Sequence, residues 1–272
     1  MTTSDKTNVL APIVASKRVE IEALRRSALP PATAAPRGAL VRERLLRSPR
    51  GPLRLITEIK RKSPSAGRLS TTLSPAARGV AYAESGATMI SVLCDGPFFD
   101  GAWTHVEEVR AAVGDRALVL AKEFVLDPIQ IERAARAGAD AVLLIVRILD
   151  RETTGALVAA ARAAGLEPLV EIVDEEELAT ALDAKAKVIG VNARDLDTLA
   201  MDGARAARVV GAIPTECIPV HLSGLRSLSD VRAVASSGAH AALLGEALMR
   251  EDDPRDLLAR MVREADAPRA AG

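Results

Sequence analysis

The sequence has little of several features that would define a specialised class of protein. It has two cysteines, five aromatic residues (three Phe, one Tyr and one Trp), and 36 basic residues against 36 acidic ones, so its formal net charge is +0. Two cysteines with one nearby histidine are too few for a zinc site or a disulfide framework, and Cys94 and Cys217 are predicted to be small buried residues. The balanced charge argues against a nucleic-acid-binding protein.

Long apolar runs are also missing. The longest run in a strand-like segment, Ala141–Val146, ends at Arg147, and a membrane-spanning helix needs roughly 18 such residues. Met1–Lys6 show no apolar stretch followed by the cleavage site of a secretory signal. We therefore expect a cytoplasmic protein with no membrane partner. At 272 residues, 49% of them hydrophobic, the chain is long enough to form one large domain.

A repeated pattern runs along most of the chain. Gly86, Gly138 and Gly238 each end a helix-like segment and precede an apolar run, and they lie 52 and 100 residues apart, which are multiples of about 25 residues. A unit of this size holds one strand, one helix and two short loops. Apolar runs at this period predict eight strands, at Leu53–Lys60, Ala87–Leu93, Leu118–Lys122, Ala141–Val146, Glu167–Ile172, Val188–Val191, Ile218–Leu222 and Ala241–Leu244.

The predicted strands alternate with Ala- and Arg-rich amphipathic helices, which is typical of a parallel sheet covered by helices. Eight repeats favour a closed (βα)8 TIM barrel of the α/β class over an open doubly wound sheet, and no glycine-rich dinucleotide motif supports the open sheet. We predict a single domain, 1–272, with a helical extension at 1–50 and a barrel at 51–265. In the extension, the apolar pattern of Asn8–Arg26 predicts an extra amphipathic helix across one end of the barrel. The alternative is that this extension is mobile.

Polar residues cluster where the predicted strands end, and in such barrels the carboxyl ends of the strands carry the working residues. Each alone is explained by a salt bridge at the rim, but their joint placement predicts one site. Lysines beside carboxylates suit proton transfer on a carbonyl compound, with no metal needed. The turns at Gly224 and Gly245 predict a phosphate site. The strand-end set consists of Glu58, Lys60, Lys122, Glu171, Asn192, Arg194, Ser223, Gly224 and Gly245.

Several longer segments carry a resemblance to a known family. They are Leu10–Arg18, Ile56–Gly67, Ser91–Leu93, Phe98–Gly101, Ala121–Phe124, Leu169–Ile172, Ile189–Leu196 and Leu244–Met249. The segment that starts Glu58-Ile-Lys-Arg is the most specific part. At these segments the sequence resembles indole-3-glycerol phosphate synthase, a (βα)8-barrel enzyme of tryptophan biosynthesis, and the resemblance runs over nearly the whole chain.

The resemblance implies a lyase (carboxy-lyase) that cyclises 1-(2-carboxyphenylamino)-1-deoxyribulose 5-phosphate, a small phosphosugar linked to anthranilate, with loss of carbon dioxide and water. No cofactor or metal is implied. Lys122 would be the general acid, Glu171 would remove a proton during dehydration, and Lys60 would hold the substrate carboxylate and donate a later proton. The other implied positions are Glu58, Asn192 and Ser223 in the polar network, Ser63 near the carboxylate, Phe99, Phe124 and Leu143 around the ring, and Arg194, Gly224, Gly245 and the Glu246 backbone at the phosphate. Leu244 is predicted as a further substrate-binding residue.

The sequence departs from the family's pattern at the seventh strand, where His221-Leu222-Ser223-Gly224 stands in place of Ser-Glu-Ser-Gly. The missing carboxylate is expected to lower the pKa values of the lysines or to leave one poorly oriented. Whether His221 compensates for the missing carboxylate is left open. Alternative hypotheses are a paralogue for a modified anthranilate, a noncatalytic barrel that binds a phosphate ligand, and another phosphosugar enzyme. We expect a monomer or weak homo-oligomer and leave a pathway-enzyme partner open.

Overall fold

The computed structural model describes residues 9–195 and 200–266, and its centre is a closed barrel of eight parallel strands. Each strand pairs with its neighbours in chain order, and the first pairs with the last, for example through Ile56 with Leu243. The predicted TIM barrel is therefore confirmed. The strands are β1 (Arg54–Ile59), β2 (Met89–Leu93), β3 (Leu118–Lys122), β4 (Ala141–Ile145), β5 (Glu167–Ile172), β6 (Val188–Val191), β7 (Ile218–His221) and β8 (Ala241–Leu244).

Helices surround the strands, and several of them begin at polar capping residues. Ser74, Asp150 and Asp174 each accept a hydrogen bond from a backbone N–H of the first turn, and Asp127 forms a capping box with Gln130. A hairpin of two two-residue strands, Lys62–Ser63 and Gly67–Arg68, and a 3-10 turn, Val146–Ile148, complete the elements. The helices are α1 (Leu10–Arg26), α2 (Gly38–Leu45), α3 (Pro75–Glu84), α4 (Gly96–Phe99), α5 (Trp103–Val113), α6 (Pro128–Arg136), α7 (Arg151–Ala163), α8 (Glu175–Asp183), α9 (Gly203–Ala212), α10 (Leu228–Ala235), α11 (Glu246–Met249) and α12 (Arg255–Ala265).

The apolar residues form two layers because side chains alternate across each strand. One layer fills the barrel interior and includes Leu120, Leu169 and Val220, whereas the other lies between the strands and the helices. Cys94 and Cys217 are buried in this outer layer, as predicted.

The extension covers both ends of the barrel. α1 places Leu10 and Ile13 against the interior layer at the carboxyl ends of the strands. α2 begins next to Gly165, two residues before β5, where the Gly38 N–H donates to the Gly165 carbonyl at 3.0 Å. A Cβ on Gly38 would lie 2.4 Å from that oxygen, so the close approach requires glycine. The predicted extra helix is thus present from Leu10 onward, and Asn8 lies outside the described residues.

An ion pair fastens the extension to the amino ends of the strands. Asp140 is fully buried just before β4, and its carboxylate accepts hydrogen bonds from the Arg37 N–H, Nε and Nη2 groups at 3.0, 2.9 and 2.8 Å. It also accepts the Val119 N–H at 2.9 Å. Charge-assisted bonds of this kind are stronger than neutral ones, so Asp140 is a strong polar link between the extension and the amino ends of the strands.

In the ranges 9–195 and 200–266, no helix combines the length and apolar composition of a membrane span. No group of three or more His, Cys, Asp or Glu side chains in those ranges is placed to hold a metal ion. The domain boundaries stay a prediction, since 1–8 and 267–272 lie outside the described residues.

Candidate active site

A cavity opens at the carboxyl ends of the strands, where the sequence predicted a site. Its wall combines ion-paired side chains with apolar ones and receives residues from the strand ends, the following turns and α1. Fourteen of the fifteen predicted site residues line it: Glu58, Lys60, Ser63, Phe99, Lys122, Phe124, Leu143, Glu171, Asn192, Arg194, Ser223, Gly224, Gly245 and Glu246.

Leu244 is the exception. It is fully buried in the layer between the strands and the helices, and the cavity wall formed by the described residues does not include it. Because side chains alternate along β8, Leu243 faces inward and Leu244 faces outward. The prediction that Leu244 binds the substrate therefore does not hold for its side chain, which faces away from the cavity.

Glu58 and Lys60 form an ion pair at the end of β1. The Lys60 Nζ lies 2.6 Å from the Glu58 Oε1, and the Glu58 carboxylate is buried. Burial opposes the charge on Glu58, but Lys60 and Lys122 outweigh it and lower the pKa of this carboxyl group. A Cβ at residue 245 would lie 2.8 Å from the Glu58 Oε1, so glycine at this turn leaves room for the carboxylate.

A chain of hydrogen bonds links the ends of β3, β5, β6 and β7. The Lys122 Nζ lies 3.4 Å from the Glu171 Oε2, and the Asn192 Nδ2 donates to the Glu171 Oε1 at 2.9 Å. The Ser223 hydroxyl donates to the Asn192 Oδ1 at 2.6 Å, and this oxygen also accepts the Arg194 N–H at 2.9 Å. The chain fixes the orientation of the Glu171 carboxylate beside Lys122.

Lys122 lies between two carboxylates. Burial acts to lower its pKa, but Glu171 and Glu58 outweigh burial and raise the pKa of Lys122. Lys122 therefore holds its proton at neutral pH and is placed to give it to an oxygen that gains negative charge. Two carboxylates are thus enough to keep the pKa of Lys122 above its ordinary value, and the expected lowering relative to a site with a third carboxylate stays a prediction.

His221, the last residue of β7, and Leu222, which follows it, point in opposite directions. Leu222 lines the cavity, and a Cβ on Gly190 would lie 2.4 Å from its Cδ1, so Gly190 makes the space that Leu222 fills. His221 is absent from the cavity wall of the described residues. Burial lowers the pKa of His221, which keeps the imidazole neutral at pH 7. His221 therefore does not replace the missing carboxylate.

The turns after β7 and β8 lie at the cavity, where the sequence predicted an anion site. Gly224 has a φ of +92°, a left-handed conformation that favours glycine, and a Cβ there would lie 2.7 Å from the Met201 Cε. Glu246 turns its carboxylate to Arg250, at 2.7 Å, which leaves its backbone beside the cavity. Arg226, which sequence reasoning missed, joins Arg194 in the cavity wall.

An apolar wall lies opposite these turns. The rings of Phe99 and Phe124 are 5.8 Å apart between centroids and tilted by 36°, and Leu143 lies nearby in the wall. α1 adds Leu10 and Ile13, whose part in the cavity was not predicted. Their apolar spacing was visible in the sequence, but nothing local showed which end of the barrel the helix covers.

Comparison with known proteins shows which family the chain is similar to. A model of the family described as indole-3-glycerol phosphate synthase matches residues 10–261. A curated protein of that name from Opitutus terrae is 42% identical over 217 residues, which cover 79% of this chain and 82% of the relative. One from Mycobacterium ulcerans is 42% identical over 214 residues, covering 79% and 78%.

Solved structures support the fold alone. 3-Hexulose-6-phosphate synthase from Salmonella typhimurium matches with a TM-score of 0.63 at 16% identity, covering 78% of this chain and 98% of that one. Thiamine phosphate pyrophosphorylase from Pyrococcus furiosus matches with a TM-score of 0.60 at 16% identity, covering 79% and 96%. At identities this low, the similarity supports a shared fold only, and the reaction has to be inferred from the site residues.

Proposed function

Because the chain belongs to the indole-3-glycerol phosphate synthase family, we propose that this cavity closes the indole ring of 1-(2-carboxyphenylamino)-1-deoxyribulose 5-phosphate. The products are indole-3-glycerol phosphate, carbon dioxide and water, which makes the protein a carboxy-lyase of tryptophan biosynthesis. The ring carbon that bears the carboxylate forms a bond to the ribulose carbonyl carbon. The bond to the carboxylate then breaks, and its electron pair restores the aromatic ring.

Lys122 acts in the first step. As the new carbon–carbon bond forms, the carbonyl oxygen gains negative charge, and the Lys122 ammonium gives it a proton. The ion pair with Glu171 and the nearby Glu58 support this role, because they keep Lys122 protonated before the reaction. Glu58 also holds Lys60 at 2.6 Å, so both lysines are oriented by carboxylates.

Dehydration follows and uses Glu171 and Lys60. Glu171 removes a proton from the carbon next to the ring nitrogen, and Lys60 gives a proton to the departing hydroxyl group. Two lysines thus give one proton each and Glu171 takes one, so the reaction takes up one proton overall. Asn192 and Ser223 support the role of Glu171, since their hydrogen bonds fix its carboxylate.

The remaining residues bind the parts of the substrate that do not react. The anthranilate ring lies against Phe99, Phe124 and Leu143, while its carboxylate lies near Lys60 and Ser63. The phosphate lies at the turns of Gly224 and Gly245, with the Glu246 backbone and Arg194. Binding the two ends holds the ring carbon near the carbonyl carbon, which lowers the entropic cost of closure.

One observation carries the proposal: two Lys–Glu ion pairs share a cavity with an aromatic wall and a glycine turn for an anion. A barrel that only binds a phosphosugar needs the turn but not two lysines that are each paired with a carboxylate. The joint arrangement fits a substrate that has both a carbonyl to protonate and an aromatic ring to hold.

The test is turnover of the purified protein on this substrate with no added metal, followed by indole fluorescence. We expect Lys122→Ala to lower kcat by about 100- to 10,000-fold, the usual contribution of a general acid, with substrate affinity largely kept. Lys187→Ala is the matched control, because Lys187 precedes β6 at the other end of the barrel and should keep wild-type kcat. A Lys122→Ala variant with near-wild-type turnover would refute the role.

Leu222 is the specific observation that favours a second candidate, a relative that acts on a modified anthranilate or binds its ligand without turnover. It places an apolar side chain in the cavity wall where the family pattern has a carboxylate. Tight substrate binding without product in the same assay would favour this candidate. Turnover with the unsubstituted substrate would make Leu222 a tolerated variation.

Three further expectations stay predictions. They are the cytoplasmic location, the monomeric or weakly oligomeric state, and docking to a neighbouring pathway enzyme. Light scattering of the purified protein would measure its oligomeric state.

A further inference from the structure

Three charged residues are buried together next to the aromatic wall, and one of them, Glu123, also lines the cavity. Lys17 of α1 is 1% exposed, Asp95 after β2 is 0% exposed, and Glu123 after β3 is 2% exposed. The Lys17 Nζ lies 2.9 Å from the Asp95 Oδ2 and 3.1 Å from the Glu123 Oε1. We call Lys17, Asp95 and Glu123 the Lys17 cluster. Burying charges costs free energy that packing alone does not require, so the cluster calls for a function.

Each carboxylate of the cluster also fixes the backbone of a segment in the cavity wall. The Asp95 Oδ1 accepts the Phe98 N–H at 2.8 Å, which caps α4, the helix that ends in Phe99. The Glu123 Oε1 accepts the Phe124 N–H at 2.7 Å. The two carboxylates therefore fix the two turns that carry the ring pair Phe99 and Phe124.

Lys17 joins a third part of the wall to these two turns. Its helix, α1, contributes Leu10 and Ile13 to the cavity, two turns and one turn before Lys17. Arg25 also links α1 to the barrel through an ion pair with Asp127, but this pair lies at the surface. The Lys17 ammonium is thus the buried point where the three apolar parts of the wall are held together.

The protonation of the cluster fits this arrangement. Burial opposes the charge on Lys17, yet Glu123, Glu20 and Asp95 outweigh it and raise the pKa of Lys17, so the ammonium persists at neutral pH. Burial raises the pKa of Glu123 to about 7, against the opposing effect of Lys17. One ammonium does not neutralise two buried carboxylates fully, and Glu123 carries the excess.

We propose that the Lys17 cluster positions Phe99 and Phe124 and thereby sets the affinity of the cavity for the aromatic ring of the substrate. Lys17 and Asp95 act as positioning residues, since the cavity wall of the described residues includes neither of them, and Glu123 links them to that wall. The proposal rests on the proposed function for the identity of the ring. It predicts a loss of binding to the anthranilate part and little change at the phosphate turns.

The experiment measures the dissociation constants of anthranilate and of inorganic phosphate, together with KM and kcat for the full substrate. Lys17→Met keeps the length of the side chain and removes its charge. We expect it to weaken anthranilate binding and raise KM about tenfold, while phosphate binding and kcat change less than threefold. Lys17→Arg should recover most of the anthranilate affinity, because it restores a cation between the carboxylates.

Two further variants control for stability. Arg25→Gln removes the surface ion pair of the same helix and should leave both dissociation constants unchanged. Asp95→Asn keeps the Oδ1 that caps α4 and breaks the pair with Lys17, so it serves where Lys17→Met does not fold, with a smaller loss in the same direction.

The outcomes separate this proposal from the proposed function. Anthranilate affinity within twofold of wild type in folded Lys17→Met or Asp95→Asn would overturn the positioning role. An equal loss at the phosphate turns would overturn it too, because it would show general loosening. A wild-type protein that binds anthranilate but gives no product would contradict the proposed function and leave the binding test of the cluster intact.

Discussion

Replacing Asp140 by Asn should destabilise the barrel strongly. The Asp140 carboxylate accepts four N–H groups, three from Arg37 and one from Val119, each at 2.8 to 3.0 Å. An Asn has one oxygen and an NH2 group, so two of the four donors would face another donor. Each lost bond to a charged group costs about 1.5 to 3 kcal/mol, which agrees with the roughly 3 to 5 kcal/mol found on breaking a buried ion pair.

The assay is urea unfolding of Asp140→Asn, followed by far-ultraviolet circular dichroism and by the fluorescence of Trp103. With a urea slope near the top of the usual range, about 3 kcal/mol per molar, the midpoint should fall by about 1 to 2 M. Asp115→Asn is the matched control, because Asp115 pairs with the same Arg37 at 2.5 Å but is 89% exposed. Water replaces that pair readily, so its midpoint should move by less than about 0.3 M.

Equal shifts in the two variants would refute the reasoning, since they would show that burial of the carboxylate does not matter. A shift below about 0.3 M in Asp140→Asn would refute it as well. Such a result would mean that the extension is held to the barrel by apolar contacts of α2, such as those of Val41 and Leu45, and not by Asp140.

Two other predictions concern charge near the cavity. Between pH 4.5 and about 7 the folded protein keeps a proton on Glu123 that the unfolded chain releases, so stability should fall as pH rises through this window. Unfolding midpoints of Glu123→Gln should depend less on pH there, whereas Glu20→Gln, which changes an exposed partner of Lys17, should keep the wild-type slope. Leu222→Glu should lower the urea midpoint without raising kcat, because it buries a carboxylate among apolar side chains. Leu222→Gln is the control, because it has the same size as Glu but no charge. A gain in kcat for Leu222→Glu would contradict this.

The barrel was predictable because its signals are local and repeated. Parallel strands buried on both faces read as short apolar runs, and glycines such as Gly86 and Gly138 mark where a helix ends before each run. The rule that function lies at carboxyl strand ends then placed polar residues such as Glu58, Lys122 and Glu171 at one mouth. The distances and hydrogen bonds among them needed the three-dimensional structure.

The buried ion pairs were not predictable in the same way. Lys17 and Glu123 are 106 residues apart, and Arg37 and Asp140 are 103 apart, so no local period connects them. A lysine in an amphipathic helix is expected to reach water, and the sequence alone gave no sign that Lys17 points inward. The departure at Leu222 was visible, but its consequence for Lys122 depended on which carboxylates remained within reach.

Leu222 shows how the site keeps its charged network with one carboxylate fewer. The Leu222 side chain occupies the space left by Gly190 and packs on Leu169, in line with the apolar interior of the barrel below the cavity. Glu171 and Glu58 already outweigh the burial of Lys122, so the ammonium needs no third anion to stay charged. Leu222 therefore places an apolar side chain in the cavity floor where the family pattern has a charged one, and it leaves Lys122 in place as the proton donor.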